Sequence, residues 1–346
     1  MSAEEKKQPR TPTKFASSIL LRRALMLADE HGVGARQILE PVGLLKEAVF
    51  QDGVLIESDR VTDAIERAAQ LTGLTDFGLR LARRIEFKTY GAMGLAIEHA
   101  QSVVEAVTEV GRFAHVLNQA LSITCPRLGS GYAFSVMIKH AGQFEPKQHT
   151  EILLMTGLKI CRHLIRPDWI PQRVTLAHDP VSPLSVYRAA FATDVEFNQP
   201  QSMIFGSPEE FEAPALTENS HMRLLAKGIL EQLDHAITND LPFQCEALLR
   251  GMLPQGYTTI GDLAASLGCT ERTLQRRLGE HGKSFTQILT AARVAMIQDR
   301  MKQGNVTHAE MAPMLGFSEP SSAIRFLKEH CSELVSNVTT QKAKAG

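Results

Sequence analysis

One stretch of 25 residues, Thr258–Gly282 (TTIGDLAASLGCTERTLQRRLGEHG), constrains the fold more than any other part of the chain. Ile260, Leu263 and Ala264 recur at helical spacing and give a short helix one apolar stripe, with Thr258 or Thr259 available as N-cap. Leu267 closes that face, and Gly268 supplies the positive φ that a sharp inter-helix turn requires. Thr270 then caps a second helix and sets Glu271 in its first turn, where the helix dipole favours an anion. On that helix Leu274 and Leu278 lie one turn apart and point inward. Arg272, Gln275 and Arg276 share the other face, with Thr273 and Arg277 on its flanks. The pattern predicts a helix-turn-helix. Arginine and glutamine form paired hydrogen bonds with guanine and adenine edges in a major groove, so the outer face suits base reading. A solvated basic face on an ordinary helical hairpin fits the same spacing.

The sequence downstream favours the first reading. Phe285 and Arg293 belong to a long helix running to about Met301, followed by a second unit, VTHAEMAPMLGFSEPSSAIRFLKEH. Its turn, Leu315–Ser321, leads into a helix bearing Ser321, Arg325 and Lys328. Two such units joined by one helix, with RTLQRRL in the first and LGFSEPSS in the second, resemble the AraC/XylS family of transcription regulators between about Leu248 and Cys331. The resemblance implies seven helices in two subdomains, each presenting one recognition helix to successive major grooves of double-stranded DNA. It places base reading on Arg272, Gln275 and Arg276, with Arg277, Ser321, Arg325 and Lys328 completing the DNA-binding set. The second unit departs from the family pattern. Ala323 and Leu327 stand where aromatic support is usual, and Pro313 falls inside its first helix, where it removes a hydrogen bond and crowds the preceding turn. These departures predict a looser second unit, with Arg325 contributing less to recognition than Arg276.

The formal net charge of −1 gives no global attraction to nucleic acid, but charge is unevenly distributed. Between Thr270 and Lys302 stand seven Lys/Arg (Arg272, Arg276, Arg277, Lys283, Arg293, Arg300, Lys302) against three acids, a local net of +4 suited to phosphate contact. A length of 346 residues suggests two domains. The polar start MSAEEKKQPRTPTK lacks the apolar core of a signal peptide, and no run of apolar residues is long enough to span a bilayer, so a cytoplasmic protein is expected. The five cysteines (Cys125, Cys161, Cys245, Cys269, Cys331) form no metal-ligand or redox spacing and read as thiols packed like small hydrophobes.

Upstream of the helical region the signals are mixed. Helices are expected over Ile19–His31, from Asp59 to Leu71, from a capping box at Ser102–Glu105 to about Leu117, over Lys147–Ile165 and over Pro183–Phe191. Extended segments are expected at Leu121–Ile123, at Tyr132–His140 after a Gly129–Gly131 turn, at Arg173–Ala177, and as edge strands broken by Pro200 between Val195 and Phe205. Tyr132, Phe134, Val136 and Ile138 alternate, as in a strand with one apolar face. The strings LTGLTDFGLRL, YGAMGLAIEHAQSVVEAV, RPDWIPQRVTLAH and FATDVEFNQPQSMIFGSPEEF resemble the sensor domain of an AraC subgroup, often labelled arabinose-binding-like, that includes ornithine-utilisation and mycobacterial virulence regulators. That resemblance implies uptake of an effector or partner, and does not make arabinose the ligand.

The expected architecture is an α+β sensor domain (17–211) after a disordered tail (1–16), a helical linker (212–240), an all-α DNA-binding domain with two helix-turn-helix units (241–333) and a flexible tail (334–346). Met222, Leu225, Ile229 and Leu233 form a linker stripe suited to a homodimer seam or to docking on either domain. His149 and His163 read as exposed or capping residues rather than metal ligands, and Trp169 as a core residue with a hydrogen-bonded indole. No G-x-S-x-G, P-loop, H-E-x-x-H or dinucleotide fingerprint occurs, so neither enzyme chemistry nor a cofactor is expected. The sequence thus predicts a DNA-binding transcription regulator answering to a small organic effector, and to RNA polymerase if it activates. The alternative is a protein-interaction regulator with weakened DNA binding. The effector pocket is expected on the Tyr132–Ile138 and Arg173–Ala177 strands, largely apolar, with an arginine for a ligand carboxylate.

Overall fold

The computed structural model describes residues 14–50, 54–140, 142–216, 219–239, 241–256, 258–267, 269–302 and 308–331. Gly268 and the segment after Cys331 lie outside the described residues. The described residues form two compact units, one built from Ala16–Val42 and Ser58–His235, the other from Phe15, Gly43–Glu57 and those from Ala236 to Cys331.

The first unit is α+β. Its sheet runs in the order Leu121–Thr124, Gly131–Ile138, Ser202–Gly206, Arg173–Thr175, Val195–Glu196, with Arg127–Leu128 pairing back on Gly131–Tyr132 through a two-residue turn at Gly129 and Ser130. Only the last pair, Arg173–Thr175 with Val195–Glu196, is parallel. Two expectations need correction. Ala133 to Val136 are all buried rather than alternating, because this strand is interior and both sheet faces are covered. Ser202–Gly206 is also interior, lying between Gly131–Ile138 and Arg173–Thr175; only Val195–Glu196 keeps the edge position. The long helix Lys147–Leu164 approaches the sheet where Gly157 leaves room: a Cβ there would lie 2.1 Å from the Phe134 ring. Helix Val103–Leu117 starts on Ser102, whose hydroxyl accepts from Glu105 N at 3.2 Å, while the Glu105 carboxylate accepts from Gln101 N.

The linker helix Ser220–Asn239 lies along Val103–Leu117 through Ala226 and Leu230, both buried, and through the pairs Arg223–Glu105 (2.7 Å) and His115–Asp234 (2.7 Å). Leu225, Ile229 and Leu233 of the expected stripe face solvent, together with Leu224.

The second unit is mostly helical: Lys46–Val49, Leu241–Met252, Ile260–Ser266, Glu271–Glu280, Phe285–Lys302, His308–Met314 and Pro320–His330 are α-helices among its described residues. Leu248, Leu263, Leu274, Leu278, Met296 and Leu315 close one core. Two pieces from far upstream enter it. Phe15, within the stretch expected to be a disordered tail, is buried in this core. Leu55 packs against it as well, and its carbonyl lies so close to Gly251 that a Cβ there would be 1.6 Å away. No helix among the described residues is long and apolar enough to cross a membrane.

Candidate DNA-reading surface and sensor cavity

In the first helix-turn-helix, Thr259 is the cap: its hydroxyl accepts from Asp262 N at 3.1 Å and the Asp262 carboxylate accepts from Thr259 N at 3.0 Å. Helix Glu271–Glu280 begins on Thr270, whose side chain accepts from Thr273 N at 3.2 Å. Leu274 and Leu278 are fully buried, which fixes the rotation of the helix about its axis; Arg272, Gln275, Arg276 and Arg277 are all exposed. Arg276 pairs with Glu280 one turn on, a solvent-exposed contact that a phosphate or base can replace at little cost. The helix ends on Gly282 in the left-handed region, and Ser284 and Gln287 cap the next helix reciprocally.

The second unit forms both of its helices, and Pro313 does not disrupt it, against expectation. Pro313 lies in the last turn of His308–Met314. The helix stops directly after it: Gly316 is at φ +71°, Phe317 N bonds Ala312 O at 2.8 Å and Gly316 N bonds Pro313 O at 3.1 Å. This glycine-terminated C-cap ends the helix one residue after the proline, so the proline forfeits a single hydrogen bond and kinks nothing downstream. Aromatic support is present too, supplied from other positions. Phe317 and Phe326 have ring centroids 5.7 Å apart, and the Arg293 guanidinium sits 4.1 Å from the Phe317 centroid and 5.7 Å from that of Phe326. Arg293 Nε also donates to Leu315 O at 3.0 Å. Arg293 is therefore a half-buried brace between the connecting helix and the second unit, not one of the open cations of the basic stretch. On helix Pro320–His330 the residues Ala323, Phe326 and Leu327 are buried, while Ser321, Arg325 and Lys328, at i, i+4 and i+7, form an exposed polar stripe.

The first unit holds a cavity between the sheet and helices Ala92–Glu98, Val103–Leu117 and Lys147–Leu164. Its volume is about 820 Å³, the open mouth included. Leu121, Ile123 and Phe134 form the sheet side; no residue of Arg173–Ala177 reaches it, and the lining contains no arginine, so the expected carboxylate anchor is absent from its walls. His149 is buried rather than exposed. Its Nδ1 pairs with Thr62 Oγ1 at 3.0 Å, and burial lowers its pKa to about 3, keeping the ring neutral. Its sequence neighbourhood gave no sign of this, because the partner stands 87 positions away. His163 is half-buried against the Phe87 ring. Trp169 is fully buried beside Phe211, but among the described residues its indole nitrogen has no hydrogen-bond partner, contrary to expectation. All five cysteines are free thiols.

Comparison with known proteins gives two family matches. Residues 32–215 match the family model described as the arabinose-binding domain of AraC transcription regulator, and residues 263–341 match a helix-turn-helix domain. The HTH-type transcriptional regulator VirS of Mycobacterium tuberculosis is 24% identical over 269 residues, covering 75% of this chain and 77% of its own. The ornithine utilization regulator of Pseudomonas aeruginosa is 23% identical over 343 residues, covering 96% of this chain and 98% of its own.

Proposed function

Because this chain belongs to the AraC family of DNA-binding transcription regulators, we propose that it reads its operator with two helices, Glu271–Glu280 and Pro320–His330, under the control of a small organic effector held in the N-terminal cavity. Arg272, Gln275 and Arg276 read base edges in one groove, Arg277 holds the flanking phosphates, and Ser321, Arg325 and Lys328 serve the next groove. The observation that carries this reading is the repeated construction of the two helices. In each, a pair or triad of fully buried apolar residues sets the helix rotation, and an opposite face of polar and cationic side chains is left open. We place the DNA-binding domain at 241–333 and the sensor at 17–211, joined by the linker helix, whose open Leu225, Ile229 and Leu233 serve as a homodimer seam. RNA polymerase is a further partner if the protein activates. Of the two features that suggested weakened DNA binding, Pro313 lies in the last turn of its helix, where it interrupts nothing downstream.

Binding titrations against the DNA upstream of its own gene, at several salt concentrations, test the proposal. Removing a phosphate-binding cation should reduce the slope of log K against log salt by about 0.9, whereas removing a base reader should erase preference at one base pair. A chain that binds all DNA alike would refute the base-reading assignment.

A further inference from the structure

The cavity is unusual in its electrical neutrality. None of the residues lining it is Lys, Arg, Asp or Glu. Its two ionisable lining groups are both uncharged at neutral pH: burial lowers His149 to about 3 and raises the Tyr90 phenol to about 12. Its polar atoms are nearly all spoken for within the protein. The Asn118 carbonyl oxygen accepts from Ser58 Oγ and from Ala120 N, each at 2.8 Å. The Tyr90 hydroxyl pairs with Thr156, which itself donates to Ile152 O at 2.8 Å. Ser17 Oγ accepts from Ile19 N at 3.3 Å. The exceptions are few: on His149, 1% exposed, Nδ1 is taken by Thr62 while Nε2 has no partner among the described residues, and the same holds for the Asn118 side-chain nitrogen and the Ser17 hydroxyl proton.

Burying a charge without a counter-charge costs many kcal/mol, and a polyol needs a hydrogen-bond partner for each hydroxyl it strips of water. The cavity offers no counter-charge and only a few open polar positions, His149 Nε2 the one acceptor-capable position among them, surrounded by Leu, Ile, Val, Met and Phe side chains. The geometry points to an uncharged, hydrocarbon-rich effector with a single hydroxyl or carbonyl oxygen, bonded to His149 Nε2 while its aliphatic body fills the space between sheet and helices. A hydroxyl suits either tautomer of His149, since it both donates and accepts. The inference rests on the proposed sensor function of this unit and specifies the chemical class of its ligand. Free sugars, amino acids and carboxylates are excluded from this site.

The test uses the full-length protein with 1-octanol, octanoate, octylamine, arabinose and ornithine at neutral pH, measured by calorimetry and thermal denaturation. 1-Octanol should bind and raise Tm, and octanoate and octylamine should bind at least about tenfold more weakly, their charges being stranded in the cavity. Arabinose and ornithine should not bind. His149→Leu should weaken 1-octanol up to about tenfold, the loss of one hydrogen bond. Leu153→Trp, which fills the cavity without altering its polar groups, should abolish binding; it supplies the test if His149→Leu does not fold. Octanoate, arabinose or ornithine binding as tightly as 1-octanol and blocked by Leu153→Trp would overturn the ligand class while leaving the sensor reading intact. 1-Octanol binding that survives Leu153→Trp would overturn the site. If none of these molecules binds, the ligand class fails; if effector extracts also leave DNA affinity unchanged, the sensor reading fails with it.

Discussion

Replacing Arg293 tests whether the second reading helix depends on a brace that sequence alone assigns to the DNA. The guanidinium lies 4.1 Å from the Phe317 centroid and 5.7 Å from that of Phe326, and Nε donates to Leu315 O at 3.0 Å. A hydrogen bond from a charged donor contributes about 1.5–3 kcal/mol, and a partly desolvated cation–π contact about 0.5–2 kcal/mol. Arg293 is only half-buried, so solvent takes back part of both, and Arg293→Ala should cost roughly 2–4 kcal/mol. For a helical unit of about 100 residues each kcal/mol shifts Tm by about 4–8 °C, so the variant's DNA-binding unit should melt at least about 8 °C lower. Arg293→Lys should recover less than half of the loss, because an ammonium lacks the planar face that stacks on two rings. Differential scanning calorimetry supplies the stability. Binding titrations below the variant's Tm should show discrimination kept at base pairs read by Glu271–Glu280 and lost at those read by Pro320–His330. An unchanged Tm combined with a salt slope reduced by about one phosphate contact would refute the brace and return Arg293 to the DNA-facing surface.

Arg276→Ala and Arg325→Ala should cost comparable affinity, about 1–3 kcal/mol each, since both helices are seated by buried apolar residues; a loss confined to Arg276→Ala in titrations on matched and mutated sites would restore the looser second unit. Glu151 is fully buried, with Oε1 accepting from the Tyr187 hydroxyl at 2.6 Å and Oε2 without a partner, and burial raises its pKa to about 8; that of Glu66 rises to about 7. Carboxyls with raised folded-state pKa values hold protons that the unfolded chain has released, so between pH 4.5 and about 8 the sensor unit should lose stability as pH rises, by up to about 1.4 kcal/mol per pH unit for each group. Glu151→Gln keeps the acceptor for Tyr187 and should flatten that dependence in chemical denaturation series; an unchanged slope would show that Glu151 is not its source. Gly251→Ala would put a Cβ 1.6 Å from the Leu55 carbonyl, backbone against backbone, so the Gly43–Glu57 segment should detach and become protease-sensitive; a wild-type digestion pattern would refute that contact.

The sequence discloses what is set by neighbours along the chain. Thr270, Leu274 and Leu278 define a capped helix with one buried face through their spacing alone, and so the exposed positions of Arg272, Gln275 and Arg276 follow from it. The same holds for Ser102 at the head of its helix and for Gly73 at the end of Ser58–Thr72. What stayed hidden is set by partners distant in sequence. Pro200 next to Ser202 reads as an edge, yet Ser202–Gly206 gains its interior place from strands that begin at Gly131 and Arg173. Arg293 is indistinguishable in composition from Arg272 until Phe317 and Phe326 are folded beside it.

The same distinction governs how the two halves can be separated. A fragment beginning near Asp240 contains Leu263, Leu274, Leu278 and Leu315, which is most of the helical core, but it omits Phe15 and Leu55. Both are apolar, Phe15 is 2% exposed, and removing a side chain of that size uncovers partners worth about 1.5–3 kcal/mol of burial. Leu55 also presents backbone where Gly251 has been kept free of a side chain, so the helix Leu241–Met252 is shaped to receive the segment rather than merely touched by it. A stretch that precedes most of the sensor unit in sequence thus completes the core of the DNA-binding unit. Isolated from that stretch, the helical unit should fold with reduced stability.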